Sequence, residues 1–131
     1  MKQAEQARLF LRKAAEDESL LDAILTLPGV SDAIFGFHCQ QTAEKLLKAV
    51  LSYHRIAFFR TRDLQELMEL LEAAGHPVPP EASGADELTP FAVQLRYDDL
   101  SPTYPVDRQN LRELIRHLRQ FAEREIGPPS A

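Results

Sequence analysis

Apolar residues recur at helical spacing along almost the whole chain, and no convincing segment alternates with the period of two that a half-buried strand needs. That pattern confines the fold to the all-α class. Ala4, Ala7, Phe10, Leu11, Ala14, Leu21 and Leu25 keep to one face of a first helix, which Pro28-Gly29 stops. Ser31 or Asp32 can cap a second helix, whose stripe is Phe35, Cys39, Ala43, Leu46, Leu47, Val50 and His54. At about 23 residues it is long for a small domain and is expected to be the central element.

The remaining segments are shorter. Arg55–Thr61 reads as a loop whose two Phe dock on the core. A third helix is expected over roughly Asp63–Ala74, with Leu64, Leu67, Met68 and Leu71 inside and Glu66, Glu69 and Glu72 outside. Gly75–Gly84 contains Pro77, Pro79 and Pro80 and reads as a turn or loop. A short helix from about Ala85 to Tyr97 carries Leu88, Phe91, Ala92 and Leu95, and tolerates Pro90 only in its first turn. Asp98–Val106 reads as irregular. A last helix, about Asp107–Ile126, has Leu111, Leu114, Ile115, Leu118, Phe121 and Ala122 on one face. The expectation is one domain over residues 1–126, an up-and-down bundle of four to five helices, with a disordered tail at 127–131.

Several function classes fall away. The 15 basic and 20 acidic residues give a net charge of −5, which disfavours a generic DNA-coating protein. No apolar run approaches the roughly 18 residues of a membrane span. The first residues lack the apolar core of a signal peptide, so a cytoplasmic location is the default expectation. The single cysteine, Cys39, excludes an internal disulfide framework and a cysteine-based zinc cluster, and reads as a small core residue. Neither GxGxxG nor GxxxxGK[ST] occurs. His54, His76 and His117 lack ligand spacing, so neither a metal site nor a cofactor is expected.

The basic residues divide into 11 Arg and 4 Lys, and their placement matters more than their total. His38, Gln41, Lys45 and Lys48 form one polar stripe on the second helix. It reads either as a cleft or dimer face holding phosphate or nucleotide through Gln41, Lys45 and Lys48, or as a solvated face with a Glu44–Lys48 pair. Arg96 and Tyr97 end a helix before a proline-containing loop, where Arg96 can reach a carboxylate or a ligand phosphate. Asp98 and Asp99 can hold Arg96 or Lys45, or serve only as polar loop residues. Arg108, Arg112, Arg116 and Arg119 recur as a basic ridge on the last helix. The ridge suits RNA phosphates or an acidic partner, or its stems simply cover the core edge. Glu18 falls within the apolar stripe of the first helix and calls for a cationic partner across the bundle.

The run Gln40-Gln41-Thr42-Ala43-Glu44-Lys45-Leu46-Leu47-Lys48-Ala49 resembles the HEPN domain, whose members carry a similar Gln-Gln-x-x-Glu-Lys-x-x-Lys-Ala run in their second helix. Leu95-Arg96-Tyr97-Asp98 is similar to the Arg-Tyr-Pro/Asp end of a later helix in that family. Asp63-Leu64-x-x-Leu67 resembles the family's His-Asp-Leu-x-x-Leu, with Arg62 where the His is usual. The resemblance spans about residues 4–125. It implies a helical bundle that often forms a homodimer. Many such proteins pair with a minimal nucleotidyltransferase in toxin–antitoxin-like systems, and some are ribonucleases with an Arg-x4–6-His motif. Here Arg96 is followed by Tyr-Asp-Asp-Leu-Ser-Pro-Thr-Tyr, with no His.

The expected function is therefore a nucleotide- or RNA-associated partner of a minimal nucleotidyltransferase, without Arg-x4–6-His ribonuclease activity. One alternative is a ribonuclease using Arg112 and His117, or Arg96 with His38. Arg112 and His117 fit the spacing but lie about 140° apart around their helix. The other alternative is a structural helical adaptor without a nucleotide site.

Overall fold

The Ser31 hydroxyl accepts the backbone N–H of Ile34 at 3.2 Å, which satisfies one of the orphan donors at the start of a long helix. The computed structural model describes residues 2–61, 63–94 and 106–128, with backbone alone for 92–94. Its α-helices are α1 (Lys2–Ile24), α2 (Asp32–Tyr53), α3 (Leu64–Ala73), α4 (Thr89–Gln94) and α5 (Arg108–Ile126). Asp63 and Asp107 cap α3 and α5 through bonds to Gln65 and Asn110. No strand occurs among the described residues, and none of their helices is long and apolar enough to cross a membrane.

The central helix is α2. It packs along α1 over most of its length, and against α5, α4 and α3 on its other sides. Phe35, Leu46, Leu47 and Leu51 are fully buried, meeting Leu21 of α1, Leu64, Leu67 and Leu71 of α3, and Ile115 and Leu118 of α5 in one core. Each such side chain contributes roughly 1.5–3 kcal/mol of burial. Gly36 marks the tightest helix contact, because a Cβ there would overlap the ring of Phe91 on α4.

Both α2 and α3 end in the same way. After α2, Ile56 N–H bonds to Leu51 O at 2.9 Å and Arg55 N–H to Ser52 O at 3.1 Å, with Arg55 left-handed at φ 60°. After α3, His76 N–H bonds to Leu71 O at 2.8 Å and Gly75 N–H to Glu72 O at 3.0 Å, with Gly75 at φ 88°. These paired bonds are Schellman caps. At the first of them an arginine occupies the position that glycine fills without steric cost.

The structure departs from the sequence expectation at three places. The expected loop at 75–84 and the start of the next helix are replaced by a 3-10 helix, Pro80–Leu88. The reason is legible afterwards: Ala82, Ala85 and Leu88 repeat every three residues, the period of a 3-10 turn, and all three are buried. Pro90 then sits in the first turn of α4, where its missing N–H costs nothing. Of the two Phe in the loop after α2, Phe58 packs on the core but Phe59 is 60% exposed. Glu66 is half-buried rather than outward on α3. Of the tail, only Gly127 and Pro128 lie within the described residues.

Candidate functional site

The polar face of α2 is closed on itself. Gln40, fully buried, donates from Nε2 to Glu44 Oε1 at 3.2 Å and accepts from Gln41 Nε2 at 3.2 Å. Lys48 Nζ reaches Glu44 Oε2 at 2.8 Å and lies 5.8 Å from the centre of the Phe58 ring. One carboxylate thus receives an amide from one turn before and an ammonium from one turn after, on a face where Lys48 is 12% exposed. Lys45 Nζ reaches back to Asp17 Oδ2 of α1 at 2.6 Å. Thr42, also buried, donates to His38 O at 2.7 Å within the helix.

The structure therefore brings Gln41, Lys45 and Lys48 together, but not as free donors. The Glu44–Lys48 pair of the alternative reading is present, and Asp17 partners Lys45. Arg96, Tyr97, Asp98 and Asp99 lie outside the described residues, as does Arg62.

The four arginines of α5 do not form a ridge of one kind. Arg108 bonds from Nε to Asp32 Oδ1 at 2.9 Å and from Nη1 to Ile24 O at 2.9 Å. It also donates to the carbonyls of Leu27 and Val30, and its guanidinium lies 5.3 Å from the Phe35 ring centre. It thereby adds a second donor to the carbonyls of Ile24 and Leu27, which already accept the backbone N–H groups of Leu27 and Val30, and supplies one to Val30 O in the turn into α2. Arg112 is buried, and its Nε and Nη2 contact the two oxygens of Asp22 at 2.6 and 3.2 Å. Its Nη1 lies 3.5 Å from Glu18. Arg119 bonds Glu18 at 2.5 Å and Leu11 O at 3.0 Å.

Glu18 thus has the cationic partners across the bundle that its place in an apolar stripe required. Arg116 alone of the four points outward, paired with Glu113 one turn away. Three arginines of the ridge, Arg108, Arg112 and Arg119, thus fasten α5 to α1 and to the turn into α2. Burying Arg112 is tolerable because its fork is matched by a carboxylate in bidentate contact. That contact also holds the Asp22 carboxyl below its ordinary range and raises the Arg112 guanidinium.

Arg112 and His117 do not meet. Arg112 faces α1, whereas His117 Nδ1 lies 3.2 Å from Glu81 O on the 3-10 helix. His117 lines an open groove of about 500 Å3 between that helix and α5, with Glu81, Glu87, Glu113 and Asn110. The groove is acidic, and it excludes the residues singled out on α2. Cys39 is buried, as expected, and desolvation pushes its thiol up to about 12.

The model of the HEPN domain family matches residues 5–126 of the chain. The chain belongs to the HEPN domain family. No curated protein and no solved structure matches it. In this HEPN domain the Gln-Gln/Glu-Lys/Lys run that carries the resemblance forms the network just described, within α2 except for Lys45, which bonds to α1. The Arg-x4–6-His spacing at Arg112 and His117 falls on opposite functions, one arginine clasping α1 and one imidazole bordering a groove.

Sequence reasoning missed one cluster altogether. His54, His76 and Glu125 converge at one end of the bundle from three different elements. No spacing rule finds such a set, because the three side chains are assembled by chain reversals and helix packing rather than by a shared helix face. The only sequence signal was His54 at the end of an apolar stripe, where a core residue was expected; it is half-buried and bonded to Glu125 at 3.0 Å.

Proposed function

We propose that this HEPN protein is a non-nucleolytic, cytoplasmic homodimer that associates with nucleotide or RNA. In this reading it works as the partner of a minimal nucleotidyltransferase in a toxin–antitoxin-like pair. The observation that carries the reading is the family match joined to the absence of an imidazole at the Arg-x4–6-His spacing after Arg96. Cleavage of RNA by that route needs an imidazole to move the proton and an arginine to stabilise the developing phosphorane charge. The other pair with that spacing is separated, with Arg112 committed to Asp22 and Glu18.

Gln41, Lys45 and Lys48, with Arg96 and Tyr97, are the proposed nucleotide contacts. Lys45 would exchange Asp17 for a phosphate, so the affinity is expected to be modest and salt-sensitive. The homodimer draws support from exposed apolar side chains on α1 and beyond it. Leu9 and Leu20 are 46% and 39% exposed and lie about 20° apart in azimuth, close to one line along α1. Leu27 and Ile34 extend the exposed apolar set into the turn and α2.

One observation favours a second reading, the adaptor without a nucleotide site: both lysines of the α2 face already hold carboxylates within the chain. Titration with ATP and with short RNA, watched by NMR, separates the two. Shifts at Lys45 and Lys48, together with a stable complex between the chain and a minimal nucleotidyltransferase encoded beside it, are the expected result. RNA cleavage by the purified chain, abolished in Arg96→Ala, would overturn the non-nucleolytic assignment.

A further inference from the structure

His54 is the C-terminal cap of α2, His76 lies in the Schellman turn after α3, and Glu125 is in the last turn of α5. His54 Nε2 and His76 Nδ1 are each 3.0 Å from the same oxygen, Glu125 Oε1. The two imidazoles are stacked with centroids 3.6 Å apart and planes 10° apart. Candidate ligand atoms of all three residues lie within 4.8 Å of one another, and all three side chains are half-buried. We propose that His54, His76 and Glu125 form a binding site for a divalent ion of the zinc class, which clasps the ends of α2, α3 and α5.

The donor chemistry sets the class of ion. Two imidazole nitrogens and one carboxylate oxygen suit borderline ions such as Zn2+, Co2+ and Ni2+, whereas Mg2+ and Ca2+ take oxygen ligands. Zinc bonds of about 2.0–2.1 Å imply ligand atoms roughly 3.4 Å apart in a tetrahedron. The two 3.0 Å separations need to open by only a few tenths of an ångström. The backbone beneath the ligands is fixed by the two capping motifs and by α5, so the site is pre-positioned rather than gathered from loose chain.

One adjustment is required. An ion must lie in the plane of each ligating ring, and two parallel rings share no plane. Binding therefore rotates at least one imidazole about its χ2 torsion, which is soft, and breaks the stack. Each ring must present a lone pair on its ligating nitrogen, so a proton carried there moves to the other ring nitrogen or to solvent when the ion binds. The half-exposed side of the cluster leaves the remaining coordination for water.

The test uses the full chain with any affinity tag removed and metal stripped by a chelator. Zn2+ competed against a chromophoric chelator is expected to bind at one ion per chain with a dissociation constant below about 10 μM, corresponding to roughly 7 kcal/mol. Co2+ is expected to give the visible absorption of a four- or five-coordinate site. NMR of the rings is expected to show His54 and His76 moving together as the stack opens. His76→Gln and Glu125→Gln are each expected to weaken binding at least tenfold, while His117→Gln, in the groove of the 3-10 helix, leaves it unchanged. Circular dichroism checks that the variants fold. Equal binding by wild type, His76→Gln and Glu125→Gln would overturn the assignment, as would a dissociation constant above about 100 μM with no visible Co2+ band.

Discussion

Alanine replacement along α5 distinguishes an arginine ridge that binds something from one that holds the bundle together. The decisive comparison is Arg112→Ala against Arg116→Ala. Arg112 loses two contacts to Asp22 and one, longer, to Glu18, and it is the buried member. Hydrogen bonds to charged groups contribute about 1.5–3 kcal/mol each before compensation. The compensation is considerable here, because the Asp22 side chain is 56% exposed and rehydrates, and Glu18 keeps Arg119. A net loss of about 2–4 kcal/mol remains, including the packing of the arginine stem. For a chain of 131 residues, 1 kcal/mol corresponds to about 3–4 °C of melting temperature. Arg112→Ala is therefore expected to lower Tm by roughly 7–14 °C. Arg116 pairs with Glu113 in the open, a contact worth at most about 0.5 kcal/mol, so its replacement moves Tm by under about 2 °C. Arg108→Ala belongs with Arg112, since Asp32 and Val30 O lose the guanidinium together, and Ile24 O and Leu27 O are left with their backbone donors alone. Thermal unfolding followed by circular dichroism at fixed pH and salt reads the series. Equal small shifts at all four positions would refute the clasp, and would return the ridge to the surface.

Three further outcomes are expected. Because Arg112 lowers the Asp22 carboxyl, Asp22 contributes stability that is present above about pH 4 and is lost as pH falls through its depressed value; urea unfolding should show Asp22→Asn less stable than wild type at pH 7, with the gap narrowing as pH is lowered below about 4, and a gap constant with pH would contradict this. With its thiol near 12 and its side chain buried, Cys39 should react with a thiol reagent at least about a hundredfold more slowly in the native chain than in guanidinium, and comparable rates would show the pocket to be open. Gly36→Ala should destabilise by about 1–3 kcal/mol because its methyl meets the Phe91 ring, and Phe91→Leu in the same chain should recover part of that loss in chemical denaturation; no recovery would place the strain elsewhere.

What was legible in the sequence follows from the range of the forces involved. The four to five expected helices and the central place of α2 rest on local periodicity and caps, which act within a few residues, so a cap at Ser31 or Asp32, helix starts near Asp63 and Asp107, and the apolar stripes could be read directly. The 3-10 helix was hidden because its signal, a period of three in Ala82, Ala85 and Leu88, is short and stands among prolines that usually mark loops. Charge was harder still. The spacing of Arg108, Arg112, Arg116 and Arg119 shows that they border one face of a helix, but not what lies across from it. What decides the role of Arg112 and Arg119 is Glu18 and Asp22, some 90 to 101 residues earlier in the chain, brought opposite them only when α1 and α5 both pack on α2. Glu18 carried half of this information, since a carboxylate in an apolar stripe demands a cation. The same argument applied to Arg112, an arginine beside Leu111 and Ile115 at the margin of the core, would have joined the two. A buried charge is therefore a stronger guide to tertiary pairing than a row of exposed ones, because desolvation makes its partner obligatory. His54, His76 and Glu125 had no such marker: each is tolerable in water alone, and only the chain reversals at Arg55 and Gly75 make them neighbours.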